Sequence, residues 1–252
     1  MGAKKITKLL LLLLILGACT KREVDRNEII IERKHGSFRK LYIQVGNVIR
    51  NYRLEVPNNV PLDSPASLIF AFHGMPIDSK DIMPEYTKLN DMAANLKAII
   101  VYPAAQDKIW ATDYYKTTVD VILFDNILSK IQATFLIDSA NIHIIGISNG
   151  ANFCHYLGAK RAEVVASVTV HSGKLDNPSN ASINAKRKFP ILMVHGVNDN
   201  VFTIETAIKD QQRYISEKHQ AHLIKVEGLG HGWAAKININ DSIQNFIVNN
   251  PL

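Results

Sequence analysis

The chain of 252 residues predicts an α/β architecture in which a mostly parallel, eight-stranded sheet is covered by helices on both faces. Three observations predict it. Six apolar runs (68–72, 98–102, 141–145, 164–170, 191–194 and 221–226) are continuous rather than alternating, as in strands buried on both faces. Between them, apolar residues recur every three or four positions, which is helical spacing. The composition, 47% hydrophobic and 21% charged, is that of one globular domain rather than a disordered or fibrous chain.

The N-terminus is built differently from the rest. Lys4, Lys5 and Lys8 precede an unbroken apolar run, 9–16, which ends in Gly17-Ala18-Cys19. Eight apolar residues fall short of the roughly 20 a spanning helix needs, and they match the apolar stretch of a secretory signal peptide. Leu16-Gly17-Ala18-Cys19 resembles the lipobox of bacterial lipoproteins, which implies cleavage before Cys19 and acylation of its thiol. Ile6 occupies the position where N-myristoylation requires Ser or Thr, which excludes that modification. The expected organisation is a signal peptide over 1–18, a charged lipidated tether over 19–37 and a catalytic domain over 38–252. The product would be exported and held at the cell envelope, because several acyl chains anchor stably where one is marginal. Thr20, in place of Asp, resembles outer-membrane sorting in Gram-negative bacteria.

Without the signal peptide, 26 basic and 23 acidic residues remain, with no long run of like charge, so nucleic acid is not expected as a partner. Two cysteines cannot staple a scaffold, and Cys154 reads as a buried apolar filler.

Within the domain, Leu41, Ile43 and Val45, then Tyr52, Leu54 and Val56, alternate around Gly46-Asn47 and predict an antiparallel hairpin. A loop containing Pro57, Pro61 and Pro65 leads into the continuous runs. Ile82, Tyr86, Leu89, Met92 and Leu96 predict one helix. Val121, Phe124, Leu128, Ile131 and Phe135 predict another, with Thr117 as N-cap and Asp120 three residues on. Further helices are expected over 151–160, 203–217 and 238–248. The segment 174–189 is short and polar, so only a minimal lid is expected.

Gly146-Ile147-Ser148-Asn149-Gly150 stands between the fifth predicted strand and a helix. The motif recurs by chance, and its place at a strand-to-helix junction is what makes it a nucleophile elbow. Serine needs a base to take its proton, and the base needs a carboxylate to fix its tautomer. In this topology the carboxylate and then the histidine follow the serine in the chain. Asp199 lies past the seventh strand and His231 past the eighth, both in loops at carboxyl ends of strands, where such sheets bind ligands. Asp176, after the sixth strand, and Glu205, inside a helix, are the weaker acids. Asn149 would donate one backbone N–H to the developing oxyanion, and Met75 in His73-Gly74-Met75 is the candidate for the second.

Tyr52-Arg53-Leu54, His73-Gly74, Tyr102-Pro103 with Trp110, the serine motif, His195-Gly196-Val197-Asn198-Asp199 and Gly230-His231-Gly232-Trp233 occur in order. Together they resemble the α/β-hydrolase family of secreted polyhydroxybutyrate depolymerases and related feruloyl and acetylxylan esterases, over about 38–251. The resemblance implies the α/β-hydrolase fold and a serine esterase that cleaves carboxylic esters through an acyl-enzyme on Ser148, with His231 as base and Asp199 as its orienter. The substrate would be a hydroxyalkanoate oligomer or an acyl or feruloyl ester of carbohydrate. His73, Trp110 and Trp233 are assigned to the substrate cleft, although both tryptophans could equally cap the core beside it. Ala151 stands where many members carry Gly, and Met75-Pro76 offers less glycine than the usual loop. No cofactor is expected. His73, His171, His195 and His231 all follow strands, but no metal-binding spacing links them, so no metal is expected either. The rival readings are a prolyl-oligopeptidase-type serine peptidase and an inert binding protein on the same fold.

Overall fold

The computed structural model describes residues 32–75, 80–113, 117–176, 182–235 and 237–252. The expected signal peptide, Cys19 and most of the expected tether lie outside the described residues. The elements are β1 (Gly36–Val45), β2 (Val48–Val56), β3 (Ala66–Phe72), α1 (Met83–Thr87), α2 (Leu89–Asn95), β4 (Ile99–Pro103), α3 (Val119–Thr134), β5 (Ile137–Ile147), α4 (Asn149–Lys160), β6 (Ser167–His171), β7 (Ile191–Gly196), α5 (Ile204–Ser216), β8 (Ala221–Val226) and α6 (Ile239–Val248). They form one eight-stranded sheet of order β1-β2-β4-β3-β5-β6-β7-β8. β2 is antiparallel to β1 and β4, while the pairs from β4 to β8 are all parallel.

Alternate residues of each central strand feed two cores. Leu68, Phe70 and Phe72 of β3 face Phe124 of α3 and Phe153 and Leu157 of α4. Ile69 and Ala71 face the opposite layer, with Met92 of α2 and Ile243 and Ile247 of α6. Burial on both sides is the physical cause of the continuous apolar runs of the inner strands, whereas the edge strand β8 is only partly buried, with His222 and Lys225 exposed. The parallel order brings the carboxyl ends of β3, β5, β6, β7 and β8 to one edge, and the loops there carry the chemistry.

Four local expectations are corrected. The helix expected across Ile82 to Leu96 is two helices, because Lys88 turns left-handed at φ 56°. There the Thr87 hydroxyl bonds the Met83 carbonyl at 2.7 Å and receives the Leu89 N–H at 3.4 Å, competing with the regular ladder. The first residue before α3 is Thr118, not Thr117, and its hydroxyl donates to the Ala111 carbonyl instead of capping. Asp120 is drawn into the protein by Arg50, at 2.7 Å, and by the Ala111 N–H, also at 2.7 Å. β1 starts at Gly36, inside the expected tether, and β6 starts at Ser167 because Val164 and Val165 close a turn on the Arg161 carbonyl.

Three histidines are buried as neutral groups. His143 meets Ser167 Oγ at 2.8 Å, His155 meets the Tyr214 hydroxyl at 3.0 Å, and His171 receives the Ala234 N–H at 3.1 Å. Burial lowers their pKa values to about 4, about 3 and about 3 respectively. A base with a lowered folded-state pKa contributes stability that is fully present above its unfolded value near 6.5 and is lost as pH falls towards the folded value. At pH 5 each costs about 2 kcal/mol by this linkage, against a total stability of about 5–15 kcal/mol for a domain. Thermal melts should therefore hold constant above about pH 7 and drop steeply from about pH 6 downward. Equal melting temperatures at pH 7.5 and 4.5 would contradict this account.

Candidate active site

β5 must become α4 within one residue. Ser148 makes that turn at φ 53°, ψ −122°, a conformation that non-glycine residues adopt only when their surroundings enforce it. Its N–H is held by the His171 carbonyl at 2.9 Å, and its own carbonyl receives the Asn152 N–H at 3.0 Å. Gly150 lies so close to β3 that a Cβ would stand 2.2 Å from the Phe72 carbonyl oxygen and 2.4 Å from that of His73. This position is glycine because backbone packs directly on backbone.

Ser148 Oγ lies 2.9 Å from His231 Nε2, and His231 Nδ1 lies 2.9 Å from Asp199 Oδ2. Asp199 is buried and ionised, so it can only accept; Nδ1 therefore carries the proton and the Nε2 lone pair faces the serine hydroxyl. Burial alone would raise the Asp199 pKa. The Phe202 N–H, the His231 ring and the Val201 N–H, which bond its two oxygens, overcome that effect and hold it below the ordinary carboxylate range. The alternative acid Asp176 is engaged elsewhere: it receives the Asn152 amide at 3.1 Å and pairs with Lys174 at 2.7 Å.

The loop that carries His231 is braced at three successive residues. The Ser172 hydroxyl donates to the Gly232 carbonyl at 3.2 Å, the Tyr86 hydroxyl receives the Trp233 N–H at 2.7 Å, and His171 Nε2 receives the Ala234 N–H. Because His171 accepts at Nε2, its proton sits on Nδ1 and points to Ser172 Oγ at 3.1 Å. His195 Nε2 donates to the Phe202 carbonyl at 2.6 Å and so steadies the Asp199 turn. Sequence reasoning grouped His171 and His195 only as members of a weak metal set and missed this role. Their signal was their position at the ends of β6 and β7. Among the described residues, no cluster of three or more His, Cys, Asp or Glu side chains could hold a metal.

Asn149 is the first residue of α4, so its N–H belongs to the helix terminus, where partial positive charge gathers. Gly74 packs on the nucleophile, with a Cβ there 3.0 Å from Ser148 Cβ, and Met75 shares a cavity with Ser148. Of the three residues assigned to substrate contact, the two tryptophans need correction. Trp110 is 2% exposed and packs between Phe72, His73 and Phe153, while Trp233 is 4% exposed and stacks on His171 at 4.6 Å. Neither lines the cavity. His73 does, but its ring is already engaged with the Gly74 carbonyl and the Ala105 N–H. The cavity, about 90 Å³, is walled instead by Met75, Ile82, Met83, Tyr86 and Ile147. Ile82 and Tyr86 were visible in the sequence as part of a helical stripe, Met83 was not, and nothing in that spacing distinguished a cavity wall from core.

A family model for phospholipases and carboxylesterases matches residues 111–248, more than half the chain. The chain belongs to the phospholipase/carboxylesterase family. Its fold is the α/β-hydrolase fold, and it is a carboxylic ester hydrolase. Among curated proteins it is similar to the probable feruloyl esterase C of Aspergillus niger, 24% identical over 191 residues covering 73% of this chain and 68% of the relative. It is 26% identical over 174 residues to a bifunctional acetylxylan esterase/xylanase of Neocallimastix patriciarum, covering 68% of this chain but only 24% of that relative. Among solved structures, a ferulic acid esterase superposes with a TM-score of 0.68 at 17% identity, covering 86% of this chain and 99% of the other. A thermostable esterase superposes at 0.69 and 16% identity, covering 85% and 63% respectively. At these identities the structures share the fold.

Two substitutions read the geometry. Asp199→Asn leaves the loop in place but loses the tautomer control, and kcat should fall by about 10³–10⁴. Gly74→Ala pushes a methyl against Ser148 Cβ, and kcat should fall with little change in melting temperature. Steady-state kinetics beside thermal melts check both, and an Asp199→Asn enzyme of wild-type kcat would remove the aspartate from the relay.

Proposed function

We propose that this family member is a serine esterase that removes aryl or short acyl groups, such as hydroxycinnamoyl or acetyl, from carbohydrate, or cleaves short hydroxyalkanoate oligomers. The observation that carries this reading is the Ser148–His231–Asp199 relay opening onto a small apolar cavity with one aromatic wall, Tyr86. Its lining by Met75, Ile82, Met83, Tyr86 and Ile147 offers apolar surface beside Ser148 for a ring or a short acyl chain. The feruloyl and acetylxylan esterase names of the relatives support the same substrate class.

The chemistry follows from the atoms. As Ser148 Oγ attacks the ester carbonyl, its proton moves to His231 Nε2, and Asp199 stabilises the imidazolium so formed. The negative charge on the former carbonyl oxygen is met by the N–H groups of Asn149 and Met75. Collapse of the tetrahedral intermediate breaks the C–O bond to the alcohol, which leaves with the proton from His231 Nε2. Water then enters, gives its proton to His231 and attacks the acyl-enzyme, and the acid departs as Ser148 Oγ recovers the proton.

The proposal extends to location: Cys19, acylated after removal of 1–18, tethers the enzyme to an envelope membrane. No helix among the described residues is long and apolar enough to cross a membrane. Mass spectrometry of the N-terminal peptide should find an acylated Cys19, and Cys19→Ser should move the protein to the soluble fraction. An unmodified Cys19 in a membrane-bound protein would overturn the anchor.

The substrate test is a panel of esters graded by acyl length and by aryl group, each beside its matching amide. Esters of hydroxycinnamic and short acids should turn over fastest, amides should be inert, and Ser148→Ala should abolish turnover and fluorophosphonate labelling while the fold persists. Met83→Trp, which fills the cavity, should raise KM for the aryl ester by about tenfold while Ser148 still labels. Faster cleavage of the amide, or undiminished turnover by Ser148→Ala, would sink the proposal.

A further inference from the structure

The two oxyanion donors belong to different parts of the chain. Asn149 opens α4, and Met75 follows β3, so their separation is set by whatever connects the two segments. Preorganised donors work only if they are held to within about half an ångström.

One residue bonds both sides. The Trp110 backbone N–H donates to Asn149 Oδ1 at 2.8 Å, and its indole Nε1–H donates to the His73 carbonyl at 2.9 Å. A few residues earlier, the Ala105 N–H donates to His73 Nε2 at 3.1 Å, which leaves the proton on Nδ1 to bond the Gly74 carbonyl at 2.9 Å. In a trans peptide the N–H points opposite to the C=O, so fixing the Gly74 carbonyl also fixes the direction of the Met75 N–H. The indole itself is held by Phe72, edge-on at 5.1 Å, and by Phe153, stacked at 5.3 Å. Segment 104–111 is pinned in turn by a buried ion pair. Arg50 donates to the Ala104 carbonyl at 2.9 Å and to Asp120 at 2.7 Å, and Asp120 also receives the Ala111 N–H.

We propose that Trp110 and the side-chain amide of Asn149 are positioning residues that hold the two oxyanion donors at a fixed separation. They touch no substrate. This rests on the serine esterase reading, and deepens it by assigning part of the rate to a core residue outside the relay.

The test uses the full chain, with active sites counted by fluorophosphonate titration. Trp110→Phe keeps an aromatic ring in the packing but removes the indole donor; Asn149→Ala removes the acceptor at a less buried place. Each should lower kcat per titrated site about 10- to 100-fold, short of the roughly 10²–10³ for complete loss of an oxyanion donor. KM should stay within about twofold. Affinity for a boronic acid, which forms a tetrahedral adduct on Ser148, should fall in parallel with kcat. The double variant should lose less than the product of the single losses, because the indole bond to His73 and the Trp110 N–H bond to Asn149 are successive links of one tether, so breaking either already releases it. A merely structural role predicts lower melting temperatures with unchanged kcat per site and unchanged boronate affinity, and that result would overturn the proposal. If Trp110→Phe does not fold, Asn149→Ala decides it alone. A wild-type chain that neither labels nor cleaves any ester fails differently, since it removes the esterase reading itself.

Discussion

Everything at the site depends on one close approach of backbone to backbone, where the first turn of α4 lies on the end of β3. Gly150 sits on the carbonyls of Phe72 and His73 with no room for a Cβ. This contact lets β5 turn into α4 at a single left-handed residue, Ser148, and so raises its hydroxyl above the sheet edge. The same contact places the β3 loop, with Gly74 and Met75, beside that hydroxyl. The Ser148 turn and the β3 loop are thus two sides of one packed junction, and the strain at Ser148 is carried by hydrogen bonds to β6 and to its own helix.

Around the junction, charge is managed by burial and by dedicated donors. Asp199 has no exposed side-chain surface, yet two backbone N–H groups and His231 meet its oxygens, so it stays ionised where a bare buried carboxylate would not. His171 is neutral for the opposite reason: burial is the main cause, and its nitrogens hold the His231 loop through Ala234 and Ser172. His171, which steadies the site, is also one of the groups that make the domain acid-sensitive, because protonation would charge it inside the core.

The cavity links this machinery to substrate choice. Its outer wall is α1, a helix of five residues, and Tyr86 from that helix both faces the cavity and bonds the loop that carries His231. One side chain therefore both lines the cavity beside Ser148 and holds the loop of His231. On the other side, Trp110, expected in the cleft, lies in the core and ties the β3 loop to the elbow.

Much of this was legible in the sequence, for reasons that are local. Strands covered on both faces must be continuously apolar and helices between them must repeat every three or four residues, so the eight-strand count, the mostly parallel character and most boundaries could be read directly, while the order of strands in the sheet could not. Ser148, Asp199 and His231 could be picked because each lies just past a strand, in an order that the topology dictates. What only the tertiary structure decided depends on contacts between distant segments. Asp120 looked like a helix-capping acid until Arg50, 70 residues away, claimed it. The break at Lys88 and the burial of Trp110 and Trp233 likewise depend on what packs against each residue. Spacing along a chain states which face a residue is on, but a face becomes core, cavity wall or brace only when another element arrives to cover it.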